Sequence, residues 1–209
     1  MRKKMRMGIL LAAGLLLAGC AREKKDYEGT QQVQMGESDT SQTQQEAVNT
    51  IQVGSKYKVT DSMEELKTGV IEILGENYWP DTLLTAEELA ERTGISGDMY
   101  ENFLAEYQHA GAGIDMMILI EAEDEEIETV EKRMNEYREM LLHVYEKQPQ
   151  NRAKVFASRI EVVDDYVCYI QLGADITGLE AQGEDAMVAH CQQENERALD
   201  IIEKRILQS

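Results

Sequence analysis

The segment from Ile114 to Ala122 constrains the fold more than any other stretch of this sequence. Apolar side chains alternate along one face of it, which is typical of a β-strand: Ile114, Met116, Ile118 and Ile120. Met117 and Leu119 make the opposite face apolar as well, so we expect protein to cover both faces. The strand should therefore lie inside a sheet that has other elements packed on both sides.

The longest periodic element follows Asp124. Apolar residues recur at steps of three and four residues as far as about Lys147, which predicts an amphipathic helix: Ile127, Val130, Met134, Tyr137, Leu141 and Val144. The opposite face is charged, and Glu128 and Lys132 on it have the four-residue spacing that favours an ion pair. We expect the apolar stripe to pack on the sheet and the charged face to be solvated.

Two shorter helices are predicted before the strand. Asp61 is expected to cap the first helix, which Gly75 closes. Thr85 and Glu88 have the spacing of a capping box for the second, which ends at Gly94. The segment from Tyr100 to Tyr107 fits either a strand or a helix.

The C-terminal half predicts a hairpin and a final helix. Pro149 is expected to end the long helix, and strands near Arg159–Val163 and Tyr166–Leu172 should follow, with a turn at Asp164-Asp165. A last helix runs from about Glu184 to Leu207. This order predicts an α+β domain with a small, mainly antiparallel sheet, on which a long amphipathic helix and a C-terminal helix pack.

The N-terminus has the three parts of an export signal. Four basic residues between Arg2 and Arg6 precede an apolar run from Met7 to Leu17, and small residues then lead to Cys20. The run is about a dozen residues long, whereas a membrane-spanning helix needs roughly 20. A cleaved signal is therefore expected.

Leu17-Ala18-Gly19-Cys20 resembles the lipobox of bacterial lipoproteins. The resemblance implies a diacylglyceryl thioether on Cys20, cleavage after Gly19, and a protein held on the extracytoplasmic face of the cell membrane by two acyl chains. The alternative is an ordinary secretory signal followed by a chance cysteine. We expect residues 1–19 to be the signal peptide and Cys20 to carry the lipid.

Residues 20–50 are rich in Gln, Ser, Thr, Gly and Glu and cannot bury a core. We expect a flexible tether with a root-mean-square reach of roughly 30 Å, followed by a single domain over residues 51–209. Loss of the signal removes four of 21 basic residues, which leaves 17 against 40 acidic residues and a charge of −23. That charge disfavours nucleic acid and anionic headgroups as partners.

This order of features resembles a family of small uncharacterised lipoproteins of clostridial Gram-positive bacteria that carry a domain of unknown function. The resemblance covers about residues 56–173. It is carried by the lipobox, the polar tether, Thr93-Gly94-Ile95, the strand into Glu123-Asp124, the long helix and the hairpin at Asp164-Asp165. It supplies no catalytic residues, and the acidic helix after Gly178 extends beyond the family pattern.

No reactive constellation stands out. His190 and Cys191 are neighbours on a predicted helix and point about 100° apart, so they form no nucleophilic dyad. His109 and His143 have no Cys or His at metal-ligand spacing. Gly111-Ala112-Gly113 leads into a strand, whereas a phosphate-binding loop opens a helix, so we interpret it as a turn.

The remaining candidates also favour structural roles. The acidic run from Glu121 to Glu128 lacks the spacing of a calcium loop and is typical of a helix N-terminus. Cys168 and Cys191 are predicted to be buried and unbridged, although export leaves a disulfide possible. The sequence therefore predicts no catalytic residue, no cofactor and no metal ligand.

Two classes of function remain. The first is a non-catalytic module of the cell envelope that binds a protein or a cell-wall component; the alternative is a carboxylate-dependent hydrolase acting on cell-wall polymer. A cleft with a buried, pKa-shifted acid near a second carboxylate would favour the hydrolase. A filled core with an exposed apolar groove would favour binding.

Overall fold

The computed structural model describes residues 59–111 and 113–208. They form five strands: β1 Thr82–Leu83, β2 Tyr100–Tyr107, β3 Met116–Ala122, β4 Arg159–Val163 and β5 Tyr166–Gln171. They also form five α-helices: α1 Asp61–Leu74, α2 Ala86–Thr93, α3 Ile127–Val144, α4 Pro149–Ala157 and α5 Glu184–Ile206. Short 3₁₀ helices span Gly75–Asn77 and Thr177–Gln182. The strand order is β1-β2-β3-β5-β4 with antiparallel neighbours throughout, so the predicted α+β class is confirmed.

β3 occupies the centre of the sheet, as its two apolar faces predict. Successive residues pack into two buried clusters on opposite faces: Met116, Ile118 and Ile120 in the first, Met117 and Leu119 in the second. The ambiguous segment Tyr100–Tyr107 is the strand β2 beside it. Alternate side chains of β3 therefore point to opposite faces of the sheet. Helices cover both faces.

The first face is covered by α2, α3 and α4. Four residues of the predicted stripe on α3 are buried there: Val130, Met134, Tyr137 and Leu141. The assignment of Val144 to this stripe is wrong, because α3 ends at this residue and leaves it 55 % exposed. The predicted pairing of Lys132 with Glu128 is also wrong, since Lys132 instead approaches Glu136 at 3.8 Å.

The helix α4 corrects the interpretation of Pro149. The sequence predicts that Pro149 ends the long helix and that a hairpin follows directly, but α3 already ends at Val144 and Pro149 is the first residue of α4. Proline is well suited to that position, because the first turn of a helix leaves its N–H groups without intrahelical partners. The missed helix brings Lys154 into the interior.

The second face is covered by α1 and α5. α5 runs close to its predicted bounds. The predicted cap of α1 is wrong by one residue: the side chain of Thr60, rather than Asp61, accepts a hydrogen bond from the N–H of Met63 at 3.4 Å. Asp61 instead begins the helix, where its negative charge is favourable. Gly75 closes α1 as predicted.

The hairpin of β4 and β5 turns at the predicted residues, and Asp164 there adopts φ +55°. Cys168 lies in the cluster of the second face, whereas Cys191 lies in a separate cluster between α4 and α5. Both are buried free thiols, as predicted. Burial raises the pKa of each to about 12, which leaves both thiols protonated and unreactive at neutral pH.

The predicted signal peptide, Cys20, the tether and residues 51–58 lie outside the described residues. Within residues 59–111 and 113–208, no helix has the length and apolar character needed to cross a membrane.

Candidate functional site

A cleft of about 210 Å³ opens on the first face of the sheet, where β2 and β5 end and β3 begins. Cross-strand pairing places Tyr107 beside Met116 and Met116 beside Gln171 along this edge. α2 and α3 form the other walls. We call this space the tyrosine cleft because three of its lining residues are tyrosines: Tyr107, Tyr137 and Tyr145.

Arg92 lines the tyrosine cleft from the last turn of α2. Its guanidinium carbon lies 4.7 Å from the centroid of the Tyr107 ring, a cation–π contact that orients the planar cation. Burial raises the pKa of the Tyr137 phenol, and the nearby guanidinium of Arg92 opposes part of that rise. The Tyr137 ring in turn packs edge-on against Tyr169, with 5.9 Å between centroids. These contacts fix the aromatic wall and the cation together.

Arg92 has no ion-pair partner among residues 59–111 and 113–208, although the chain carries a net charge of −19. The acid one turn earlier on α2, Glu88, is already engaged. Its carboxylate accepts hydrogen bonds from the N–H of Thr85 at 2.8 Å and from the Thr85 hydroxyl at 3.0 Å, completing the predicted capping box. The guanidinium hydrogen-bonds the Tyr137 phenol but has no carboxylate partner in this part of the chain, which leaves it able to pair with an external anion.

The loop after β2 forms one rim of the cleft and is held by a second segment. Asp81 accepts hydrogen bonds from the backbone N–H groups of His109 at 2.8 Å and Ala110 at 3.0 Å. These bonds lower the pKa of the Asp81 carboxyl. Gln108 packs so closely that a Cβ on Gly113 would lie 1.9 Å from its Oε1. Gly111 adopts φ +84°, in keeping with the predicted turn. A side chain at position 113 would therefore require the Gln108 amide to move.

A buried ion pair closes the floor of the cleft. Asp115 is fully buried, the ammonium of Lys154 contacts its Oδ1, and the N–H of Ala174 donates to its Oδ2 at 3.2 Å. Burial raises the pKa of Asp115, while Lys154 and the neighbouring N–H groups oppose that rise. Lys154 also lies 5.2 Å from the centroid of the Trp79 ring. Each charge therefore has a partner, which buried charges require.

The lining of the tyrosine cleft does not contain a pair of acids. Asp115 is the carboxylate among the lining residues, and no second one stands beside it there. Hydrolysis by two carboxylates needs one acid to donate a proton and another to act as base or nucleophile. Because Lys154 and Ala174 engage both oxygens of Asp115, this group is suited to holding the floor in place.

The other candidates from the sequence are not brought together. His109 and His143 are exposed and His190 is half-buried, while its neighbour Cys191 is buried. The acidic run forms an open depression at the start of α3, together with acids from the start of β2, the segment before it and the β4–β5 turn: Asp98, Glu101, Glu123, Asp124, Glu125, Glu126 and Asp165. Among the described residues, no group of His, Cys, Asp and Glu has an arrangement that could hold a metal ion.

The fold and the cleft define an α+β domain with a polar, aromatic cleft at one edge of its sheet. Residues 75–172 match the family described as Domain of unknown function (DUF4358), so such a domain is present in this chain. The match begins later than the 56–173 expected from the sequence and leaves α5 outside, as expected. The lining residues of the cleft, from Arg92 to Gln171, all lie within it. No curated protein and no solved structure matches the chain.

Proposed function

We propose that this chain is a lipoprotein of a Gram-positive cell envelope, held on the extracytoplasmic face of the membrane by lipid on Cys20. We propose further that its domain of unknown function binds a cell-wall component or a protein without catalysing a reaction. The order of basic residues, apolar run, lipobox and polar tether supports the anchor. The tyrosine cleft supports the binding role.

One observation carries the choice of binding over hydrolysis. In the tyrosine cleft the cation lacks an ion-pair partner and the acid has one: Arg92 has no carboxylate partner among the described residues, whereas Asp115 is held by Lys154. A carboxylate-dependent hydrolase would need the reverse, with two acids accessible to the polymer. Within the cleft, the raised pKa of Asp115 favours the alternative.

The anchor is tested by replacing Cys20 with Ala. We expect Cys20→Ala to leave the membrane fraction, because two acyl chains on one residue are the proposed source of stable anchoring. Fractionation of cells and mass measurement of the mature N-terminus give the result. Retention of the variant on membranes after a high-salt wash would show that the anchor is assigned wrongly.

The binding role is tested in intact cells with a photo-crosslinking residue at position 145, which lines the cleft. The matched control carries the same residue at position 139, on the exposed outer face of α3. We expect an adduct from position 145 and none from position 139. Equal adducts from both positions would remove the cleft from the proposal.

Catalysis is tested by incubating the purified full-length chain with isolated cell walls. The non-catalytic proposal predicts that no soluble wall fragments are released, as measured by mass spectrometry of the supernatant. Release of fragments, abolished in Asp115→Asn while thermal denaturation shows that this variant is folded, would instead establish the hydrolase.

A further inference from the structure

We propose that the tyrosine cleft recognises the carboxyl-terminal residue of a peptide, with its carboxylate on Arg92 and its side chain against Ile114, Met116 and Leu141. This inference rests on the proposed binding function and names the ligand class of the same site. Four properties of the cleft carry it: its charge, its volume, its aromatic faces and one acceptor without a partner.

The charge of the cleft suits a monoanion. Lys154, which does not line the cleft, neutralises Asp115 from behind, so Arg92 is left as the uncompensated charge among the lining residues. A guanidinium binds a carboxylate through two parallel N–H···O bonds. The contact with Tyr107 fixes the guanidinium plane before a ligand arrives. A phosphate monoester, which carries about two charges, would find a single cation.

The volume of the cleft suits one residue. About 210 Å³ is room for roughly seven water molecules at about 30 Å³ each, and it lies below the range of about 300 to 1,000 Å³ that encloses drug-sized ligands. The apolar side chains of Ile114, Met116 and Leu141 form part of the wall. The cleft can therefore take a terminal side chain while the rest of a peptide stays outside.

The aromatic faces argue against a carboxylated sugar. Sugar recognition uses open aromatic faces, but two of the three tyrosines have other contacts: Arg92 covers Tyr107 at 4.7 Å and Tyr137 packs against Tyr169. These two rings thus serve to position the cation and to wall the cleft. A peptide carboxylate needs the cation and the apolar wall but no free ring face.

The acceptor is the side-chain oxygen of Gln108 at the rim. This Oε1 is buried and has no hydrogen-bond partner among the described residues, while Nε2 of the same amide donates to the carbonyl of Ala110 at 2.9 Å. Leaving a buried acceptor unpaired is unfavourable. The terminal residue of a peptide carries an N–H group close to its carboxylate, which would supply the missing donor.

The inference is tested by calorimetric titration of the purified full-length chain with N-acetyl-Ala-Ala-Leu. Its carboxyl-terminal amide is the matched ligand without the charge, and glucuronate is the carboxylated sugar. We expect the amide to bind at least about tenfold more weakly than the acid, because a charge-assisted bidentate contact is lost. Equal binding of acid and amide, tighter binding of glucuronate, or no peptide binding would overturn the proposal.

Variants at Arg92 locate the contact. We expect Arg92→Gln to weaken binding of the acid by about tenfold or more and Arg92→Lys to weaken it less, because lysine keeps the charge but not the fork of donors. Arg133→Gln is the matched control: Arg133 is a cation of α3 that pairs with Glu136 at 3.1 Å and does not line the cleft. Equal weakening by Arg92→Gln and Arg133→Gln would reduce the effect to general charge and overturn the proposal. Thermal denaturation of each variant confirms that it is folded.

The two proposals fail in distinguishable ways. If the peptide acid does not bind but the position-145 adduct forms, the ligand class is wrong and the binding function stands. If wall fragments are released, the non-catalytic function is wrong, and the peptide assignment that rests on it falls too.

Discussion

The two faces of β2 differ in whether the charged side chain next to them has a partner of opposite charge. Glu106 lies on the second face and is buried, with one oxygen 2.5 Å from the ammonium of Lys67 and the other accepting a hydrogen bond from the Tyr78 hydroxyl at 2.6 Å. The next residue, Tyr107, lies on the first face beneath Arg92, which has no carboxylate partner in the described part of the chain. A charge whose partners are already present contributes to the fold, whereas a charge without them is available to a ligand.

The largest expected effect on stability comes from breaking the buried ion pair between Asp115 and Lys154. Lys154→Met should lower the free energy of unfolding by about 3 to 5 kcal/mol, because it leaves Asp115 buried and uncompensated. Chemical denaturation followed by circular dichroism measures this loss. Lys132→Met is the matched control, because Lys132 is exposed and its pairing with Glu136 should contribute less than about 0.5 kcal/mol. Similar losses in the two variants would contradict the distinction between engaged and available charges.

The wall of the tyrosine cleft should be nearly as sensitive. Leu141 is 9 % exposed, and Leu141→Ala should lower the free energy of unfolding by about 2 to 5 kcal/mol, through lost apolar burial and the cavity left behind. Neutralising Glu128 and Lys132 together on the outer face should leave the denaturation midpoint almost unchanged. If Leu141→Ala unfolds at the parental midpoint, the helix face assigned to the core is wrong.

Alkaline pH should reveal how much the hydrogen bond between Tyr78 and Glu106 on the second face contributes to stability. Burial, followed by the hydrogen bond to Glu106, raises the pKa of Tyr78 above its ordinary 10.0. The folded state therefore keeps this proton after the unfolded state has lost it. The resulting stability is fully present below pH 10 and is lost as pH rises towards the folded-state pKa, at about 1.4 kcal/mol per pH unit.

Tyr78→Phe provides the measurement. Its free energy of unfolding should decline less steeply above pH 10 than that of the parent, by about 1.4 kcal/mol per unit. Parallel pH profiles for parent and variant would show that Tyr78 ionises alike in both states.

The smallest expected effect on stability comes from replacing Arg92, the charge without a carboxylate partner. Arg92→Gln should change the free energy of unfolding by less than about 1 kcal/mol, because an exposed cation–π contact is what it removes. The same denaturation assay measures it. A loss comparable to that of Lys154→Met would mean that Arg92 belongs to the fold and would weaken its assignment to a ligand.

Elements with a local signature could be predicted from the sequence. The capping box of Thr85 and Glu88 depends on residues three positions apart, and β3 shows its two-sided burial in its own composition. α4 was missed because a proline can end one helix or begin another, and because Lys154, a charged residue, is buried within it. Both facts depend on what surrounds the segment.

The tyrosine cleft left almost no signal in the sequence. Its residues come from five separate segments, and only strand pairing brings Tyr107 and Gln171 to one edge. Arg92 in the last turn of a helix is also what the helix dipole alone favours. Asp115, a carboxylate inside an apolar run, is a visible irregularity in the sequence.

The position of Trp79 gives the molecule its own optical reporter. It is the chain's one tryptophan, its indole N–H donates to the carbonyl of Glu76 at 2.9 Å, and the ammonium of Lys154 lies 5.2 Å from its ring centroid. Indole emission shifts in wavelength and intensity with nearby charge and hydration. Fluorescence from this single site therefore registers whether α4 is seated against the segment before β1.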